Sequence, residues 1–333
     1  MAAANPLNAT FFAFRKRDRG GVITSAAIAY VVLLAVLTAA FVAINYAMFM
    51  PVMQWYGQAL SAAAAGDTTA PEPPAGLMSG IGVLLLSSLV FLFALYLTVA
   101  AFEAACLRWM IRGESGGLMG LSLGRDTWNV YLTYWVWFFL YMGASIVIGM
   151  ISTVATFAVL AGGQNGPDVG ATLAVALGVR LLLNIVLIYF AVRLAPAAAV
   201  TVGRKTFAFF DAWKVTKGRF WAMFGAFLIW CLIVLVGEIV MVAVIVALIF
   251  PGLFTALQSL ATDPTGAQVG EALAAGMNPQ SLAAAGAVYL IFLALGLVVY
   301  VAFYGINARA VIAAAEDGKI EGIQTAAVAQ TFD

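Results

Sequence analysis

Five polar or charged side chains lie inside long apolar segments of this sequence, and their residue types could do chemistry there. They are Glu103, Arg180, Asn184, Arg193 and Glu238. Ionisable groups at membrane depth are costly and normally face a partner or a water-filled cavity. Arg180 and Glu238 lie at similar depths in neighbouring segments, which predicts an ion pair between them. Asn184 lies one helical turn from Arg180 and is expected to add a hydrogen bond at the same place.

The predicted Arg180–Glu238 pair has two interpretations, and the sequence does not choose between them. In the functional one, a polar site binds an anionic headgroup or couples transport to protonation of Glu238. In the structural one, a buried pair fixes how two helices dock. Glu103 is expected to be protonated, because burial disfavours an unpaired charge. Arg193 lies close enough to the end of its segment to extend its guanidinium to the lipid headgroups.

The remaining composition argues against an enzyme. The chain has no histidine, which removes histidine-ligated haem, the usual catalytic zinc sites and the nucleophile pairs that use histidine as a base. Cys106 and Cys231 lie in or at the end of apolar segments, where a free cysteine behaves as a small buried hydrophobe. The sequence has no glycine-rich phosphate loop and no nucleophile elbow. We therefore predict no catalytic residue, no cofactor and no metal site.

Six long apolar segments must position these side chains. Hydrophobic residues make up 64% of the chain and charged residues 9%, whereas a soluble domain has about a quarter charged residues. A membrane-spanning helix needs about 20 apolar residues, and each segment is long enough. The predicted fold class is all-α, a polytopic bundle of six transmembrane helices with short interfacial helices. The predicted spans are 22–49, 80–107, 129–161, 171–200, 221–250 and 284–312.

Small and polar residues within the spans predict contacts between helices. Three pairs have the four-residue spacing that lets helix backbones approach closely: Ala100 with Ala104, Ala101 with Ala105, and Ser145 with Gly149. Asn45 in the first span and Asn307 in the last lie near helix ends, and each predicts a hydrogen bond to another helix.

The basic residues between the spans lie on one side of the predicted membrane. The connections 50–79, 162–170 and 251–283 contain no lysine or arginine, and the other connections carry the basic residues. Because basic residues are retained in the cytoplasm, both termini are predicted to be cytoplasmic.

This topology divides the chain into a basic arm, a transmembrane domain and a short tail. The charge asymmetry reflects membrane insertion and anionic lipid at the inner leaflet. No segment offers the dense basic face that nucleic acid requires, so no nucleic-acid partner is predicted. The three parts are 1–21, 22–313 and 314–333.

The connection 203–220, GRKTFAFFDAWKVTKGRF, is the most patterned part outside the spans. A short helix there would group aromatic side chains on one side and cations on another, and Gly218 would end it. This combination is typical of a helix that lies in the membrane interface; the alternative is a positive loop that only sets topology. The candidate headgroup-binding residues are Arg204, Lys205, Phe209, Phe210, Trp213, Lys214, Lys217 and Arg219.

Two other connections have interfacial patterns. Phe11, Phe12 and Phe14 precede the basic cluster of the N-terminal arm, so the arm is either an interfacial segment or a disordered tail with a topology-setting charge. Apolar residues at helical spacing between Leu253 and Leu260 predict an amphipathic helix on the opposite side.

A weak internal echo links two hairpins of the chain. An Asp-x-Trp triplet follows the second span, at Asp126 and Trp128, and another follows the fourth, at Asp211 and Trp213. Either a duplicated helical hairpin or a coincidence between alanine-rich segments explains it.

The run APAAAVTVGRKTFAFFDAWKVTKGRFWAMFG resembles the signature loop of bacterial six-span proteins named for the membrane domain of glycerophosphoryl diester phosphodiesterase. In that family a span ends in Ala-Pro, and a short helix with a Trp-x-x-Thr-Lys-Gly-like motif enters the next span. The resemblance implies the six-span layout and a bacterial inner-membrane location. It implies no catalytic residue, because the soluble phosphodiesterase domain is absent. The matching residues are Ala195, Pro196, Trp213, Thr216, Lys217 and Gly218.

These observations predict a non-enzymatic integral protein of the bacterial inner membrane. Its expected partners are membrane lipids, above all anionic headgroups at the inner leaflet, and its expected role is lipid interaction or membrane organisation. One alternative is a transporter or permease with a polar site around Arg180, Asn184 and Glu238. Another is an accessory subunit of a membrane complex, which would contact partner membrane proteins or further copies of the chain.

Overall fold

The computed structural model describes residues 6–15, 21–64, 72–73, 76–162, 169–249 and 279–323. These ranges are helical and contain no β-strand. The helices are α1 (Pro6–Thr10), α2 (Phe12–Arg15), α3 (Val22–Ala64), α4 (Leu77–Leu107), α5 (Arg125–Gly162), α6 (Val169–Leu194), α7 (Ala197–Arg204), α8 (Ala212–Thr216), α9 (Phe220–Ile249) and α10 (Pro279–Glu316). A π-helical turn at Arg108–Arg112 follows α4, and a 3₁₀ turn at Phe209–Asp211 precedes α8.

Within the described ranges, six helical stretches are long and apolar enough to cross a membrane, so the predicted all-α, polytopic fold class is confirmed. α5 begins at Arg125, ahead of the predicted start at 129, and has Asp126 in its first turn. A carboxylate is favourable there because the helix dipole is positive at that end. The stretches are Val22–Met48, Gly80–Arg112, Arg125–Ala158, Ala174–Arg204, Phe220–Val244 and Leu290–Glu316.

Several predictions fall outside the described residues. They concern the basic cluster at 16–20, the amphipathic helix between Leu253 and Leu260, and the tail beyond 323. These stay predictions, as do the three-part division of the chain and the cytoplasmic side of both termini.

The chain forms two compact units. The first contains residues 1–29, 99–229 and 301–333, and the second contains residues 30–98 and 230–300. The first unit holds most of the charged residues between the spans, and it positions the candidate site.

Small side chains allow close helix packing in the first unit, as predicted for two of three pairs. Ala100 and Ala104 are fully buried, and Ala101 and Ala105 are buried as well. Ser145 and Gly149 are exposed, and a Cβ added to Gly149 would meet no atom within 4 Å among the described residues. Small residues at this spacing therefore form a close contact near the charged end of the spans, and the prediction for Ser145 and Gly149 is wrong.

The N-terminal arm packs into the first unit. Phe12 and Ala13 are buried, and the Thr10 hydroxyl donates a hydrogen bond to the Ala226 carbonyl at 3.3 Å. Gly305 makes room for the arm, because a Cβ there would lie 3.0 Å from the Ala13 Cβ. The disordered-tail interpretation is therefore wrong for residues 6–15.

Polar contacts join α3 to α4 in the second unit. The Ser87 hydroxyl donates a hydrogen bond to the Asn45 side-chain carbonyl at 3.0 Å, which confirms the interhelical bond predicted for Asn45. The same prediction for Asn307 is wrong among the described residues, because its buried side-chain amide makes no hydrogen bond there. A cavity of about 300 Å³ between α3 and α4 includes Ala47 and Pro51 in its lining. Proline has no N–H, so Pro51 cannot donate the helical hydrogen bond that the Ala47 carbonyl would otherwise accept.

Candidate functional site

A buried arginine, Arg112, organises the charged end of the first unit. Its side chain is 3% exposed, and it forms a two-pronged contact with the Asp126 carboxylate, with Nη2–Oδ2 and Nη1–Oδ1 distances of 2.7 and 3.3 Å. Nε donates to Glu114 at 2.9 Å, and Nη1 also donates to the Val202 carbonyl at 2.6 Å. This forked geometry suits arginine, because its donors match a carboxylate. The pair ties α5 and α7 to the end of α4.

A second buried arginine, Arg108, fixes the loop that follows. Its Nη1 donates to the Ser122 hydroxyl at 2.6 Å, and its Nη2 donates to the Gly120 carbonyl at 3.1 Å. The Asp126 carboxylate lies 3.9 Å from Nη1. Asp126 therefore faces two arginines, and the loop between α4 and α5 is held by one of them.

Glu114 links this centre to α7. Its carboxylate accepts hydrogen bonds from Lys205 at 3.1 Å and from Arg112 at 2.9 Å. Burial alone would raise the pKa of Glu114, but the hydrogen bonds and charges of Lys205 and Arg112 outweigh it, so the pKa is lowered.

Glu114→Gln should therefore remove a stabilisation that depends on pH. The folded-state pKa of Glu114 lies below the unfolded one, so its carboxylate stabilises the fold above the unfolded pKa, and this contribution is lost as the pH falls through the folded pKa. We expect the wild-type chain to melt above the variant at neutral pH, and the gap to close on acidification. Thermal unfolding in detergent across this range measures it; a gap that does not depend on pH would contradict the assignment.

In both Asp-x-Trp triplets, the aspartate forms an ion pair with an arginine. Asp211 pairs with Arg204, as Asp126 pairs with Arg112, and in both cases the arginine ends the preceding helical segment. Lys214 also pairs with Asp211, at 2.8 Å. The weak sequence repeat therefore corresponds to two similar arginine–aspartate ion pairs in the structure.

Arg219 forms a third ion pair, with Asp317 directly after α10. The Arg219 Nη2 donates hydrogen bonds to the Asp317 carboxylate at 2.5 Å and to the Ala313 carbonyl at 2.9 Å. Lys319 donates to the Lys217 carbonyl at 3.1 Å. The sequence assigned the basic side chains Arg204, Lys205, Lys214 and Arg219 to lipid, and the structure gives each of them a carboxylate partner.

The connection 203–220 contains the predicted short helix, α8, and Gly218 follows it with a φ of 79°. The prediction for Phe209 is wrong. Phe209 is 1% exposed and packs with Leu194, Ala197 and Ala212, because it anchors the connection to the unit core. Sequence periodicity did not reveal this, since a 3₁₀ turn replaces the α-helix at this point.

Other aromatic residues of this region face outward. Phe210 is 71% exposed and Trp221 is 78% exposed, with Trp213 and Phe207 also exposed. Lys214 and Lys217 lie on the exposed surface of the same connection. We call this set, Phe207, Phe210, Trp213, Lys214, Lys217 and Trp221, the aromatic–basic surface.

Arg193 lies against three aromatic rings at the end of α6. Its guanidinium carbon is 5.2 Å from the Trp213 ring centre, 5.3 Å from Tyr189 and 5.6 Å from Phe220. Nε donates to the Tyr189 hydroxyl at 3.3 Å, and Nη1 donates to the Thr216 hydroxyl at 3.4 Å. A cation over ring faces is held by the ring quadrupole, so the structure fixes the side chain instead of leaving it to extend freely.

Glu103 is buried in the first unit. The Tyr134 hydroxyl donates a hydrogen bond to its carboxylate. Glu103 therefore has a polar partner on α5 that the sequence did not predict.

The remaining intramembrane candidates are exposed on the surface of the chain. Asn184 donates its amide to the Arg180 backbone carbonyl at 2.8 Å, so this hydrogen bond stays within α6. Arg180 and Glu238 belong to different compact units. The ion pair between them stays a prediction.

The sequence interpretation missed Arg108, Arg112, Glu114 and Asp126 as structural partners. Their signal was the Asp-x-Trp echo, since each triplet follows an arginine at the end of a helical segment. Among the described residues no group of three or more acidic or cysteine side chains could hold a metal ion.

Comparisons with models of protein families, with curated proteins and with solved structures give no significant match. The resemblance of the 195–218 region to the six-span phosphodiesterase-related family therefore stays a prediction.

Proposed function

We propose that this integral membrane protein is a non-enzymatic protein of the bacterial inner membrane that binds anionic lipid headgroups at the inner leaflet. The observation that carries the proposal is the aromatic–basic surface. Exposed aromatic rings and lysines together favour the headgroup layer, where rings meet the acyl boundary and cations meet phosphate.

The interior of the connection explains why these side chains point outward. Phe209, Val215 and Thr216 are buried, so α8 and the turn before it are attached to the unit core. Phe210 and Trp213 belong to the same short segment and remain exposed. An exposed apolar patch of this kind on a protein marks an interaction surface, and next to a spanning helix the available partner is lipid.

Two features limit the electrostatic part of the proposal to a few residues. Arg204, Lys205 and Arg219 are engaged by Asp211, Glu114 and Asp317. Lys214 shares Asp211 but is 63% exposed, so solvent and lipid phosphate compete for it. On this surface, lipid binding therefore depends on Lys214, Lys217 and the exposed rings, whereas Arg204, Lys205 and Arg219 stabilise the fold.

Lipid retention tests this function. We expect the full chain, extracted in native membrane discs, to retain phosphatidylglycerol at a higher fraction than the surrounding membrane. Lys214→Gln combined with Lys217→Gln should weaken phosphatidylglycerol binding about thirtyfold, because each cation near an anionic surface contributes about 1 kcal/mol and about 2 kcal/mol corresponds to roughly this factor. Mass spectrometry of the retained lipids measures it.

Arg309→Gln is the matched control, since Arg309 is partly exposed, pairs with Glu316 and lies outside the aromatic–basic surface. It should leave the enrichment unchanged. A wild-type chain that retains lipids in the same proportions as the bulk membrane would overturn the proposal. A polar small molecule or a second protein retained in the discs would instead support the transport or subunit alternative.

A further inference from the structure

We infer that the Arg193 guanidinium binds the phosphate of one anionic phospholipid. This inference rests on the proposed lipid-binding function and assigns it a specific headgroup site. It goes beyond the aromatic–basic surface, because Arg193 belongs to α6 and not to the connection 203–220.

Arg193 differs from most other cations of the first unit in having no carboxylate partner among the described residues. Eight other cationic side chains there form ion pairs with an aspartate or glutamate: Arg108, Arg112, Arg204, Lys205, Lys214, Arg219, Arg309 and Lys319. Aromatic rings attract a cation but leave its charge in place. A half-buried positive charge is stabilised by a neighbouring anion, and the described residues place no carboxylate beside Arg193.

Three of the five Arg193 donors make no hydrogen bond among the described residues. A guanidinium has five N–H groups, and the bonds to Tyr189 and Thr216 use one on Nε and one on Nη1. The free donors lie on Nη1 and Nη2, which form the pair that binds phosphate oxygens with two parallel hydrogen bonds. Such pre-organisation lowers the entropy lost on binding.

The support around the guanidinium is rigid. The Thr216 side chain is fully buried, and its hydroxyl donates a hydrogen bond to the Arg193 backbone carbonyl at 3.3 Å. Trp213 packs on Tyr189 and Phe190 with ring-centre distances of 6.0 Å. α6 and α8 therefore hold the cation between them, next to the exposed part of the connection.

The ligand is an anionic phospholipid and not a zwitterionic one, because the three rings at this site contact Arg193 and leave a choline cation no ring here to stack on. Rings that could have received a choline group face the guanidinium instead. The exposed Lys217 follows Thr216 in the chain and adds positive charge on this side. A free phosphate ion would present the same oxygens, so the experiment must separate these two sources.

The test uses the full chain in phosphatidylcholine discs that contain a minor fraction of phosphatidylglycerol. Native mass spectrometry counts the phosphatidylglycerol that stays bound. We expect Arg193→Gln to weaken retention about tenfold, as loss of a charged hydrogen bond does. Arg193→Lys should restore part of it, because the charge returns without the fork. Arg125→Gln removes an exposed arginine that has no such ring contacts in the described structure and should have no effect.

Four results would contradict the Arg193 headgroup site, and they differ in what else they contradict. Equal retention by Arg193→Gln and wild type overturns the headgroup site while leaving the proposed function intact. Absence of enrichment in wild type overturns both. An Arg125→Gln effect as large as that of Arg193→Gln overturns the site in favour of diffuse charge. If inorganic phosphate displaces the lipid and stabilises the lipid-free chain in an Arg193-dependent way, the site takes free phosphate and the lipid assignment is wrong.

A folding defect in Arg193→Gln is addressed by a measurement on the wild-type chain alone. A phosphatidylglycerol analogue with a photoreactive headgroup should cross-link within the segment from Trp213 to Phe220 or at Tyr189. Cross-links confined to other segments would overturn the site.

Discussion

Arg112→Met should lower the free energy of unfolding by about 3–5 kcal/mol, because it leaves the mostly buried Asp126 carboxylate without its main partner. Asp126 is 13% exposed, and the other cation near it, Arg108, is 3.9 Å away. The double variant Arg112→Met with Asp126→Leu should recover most of this loss, since replacing both members with apolar groups removes the uncompensated charge. Thermal unfolding and folded yield in detergent measure both variants.

The control for this prediction is Arg309→Gln. The Arg309–Glu316 pair has an N–O distance of 3.5 Å, and both side chains are at least a third exposed. An exposed pair contributes about 0–1 kcal/mol after solvent screening, and the cation–π contact of Arg309 with Phe12, at 6.0 Å, contributes about 0.5–1 kcal/mol, so a shift smaller than that of Arg112→Met is expected. A double variant that is no more stable than Arg112→Met alone would show that Arg112 acts through its other contacts, such as the Val202 carbonyl.

The spans were predictable from sequence because apolar length is a local property. Each span carries its own signal in about 20 residues, so no knowledge of neighbouring helices was needed. The same holds for Gly218, since a glycine after a short helix commonly adopts a positive φ. Local chemistry was enough in both cases.

The roles of the charged residues were not predictable in the same way. Arg112 binds the Val202 carbonyl on α7, which is distant in the chain, and no local pattern encodes such a contact. The one-sided distribution of cations has two physical causes, topology and ion pairing, and sequence alone does not separate them. Arg193 was expected to extend toward lipid, but three rings from α6, α8 and α9 hold it in place.

Small residues show the same limit. Ala100 and Ala104 are buried whereas Ser145 and Gly149 are exposed, although the spacing is identical. A small residue permits a close approach, but the partner helix decides whether the approach occurs. Phe209 was misplaced for a related reason, because the 3₁₀ turn rotates it toward Trp137, whose ring centre lies 5.8 Å away.

Gly117→Ala should have the second large effect, because this glycine closes the loop that Arg108 holds. Its φ is +83°, and an added Cβ would lie 1.9 Å from the Leu121 carbonyl oxygen. A left-handed conformation costs an L-residue about 1–2 kcal/mol, and the backbone of Leu121 would also have to move. Because Gly120 and Ser122 accept the hydrogen bonds of Arg108, that movement would also weaken the buried arginine's contacts.

The neighbouring glycine provides the matched control. A Cβ on Gly116 would meet no atom within 4 Å among the described residues, so Gly116→Ala should change the stability by no more than about 0.5 kcal/mol. Gly117→Ala should cost at least about 2 kcal/mol and expose the loop to proteolysis between α4 and α5. Thermal unfolding and limited proteolysis of the two variants side by side measure the difference. Equal behaviour would mean that the loop relaxes without disturbing Arg108, and that the arginine does not depend on this turn.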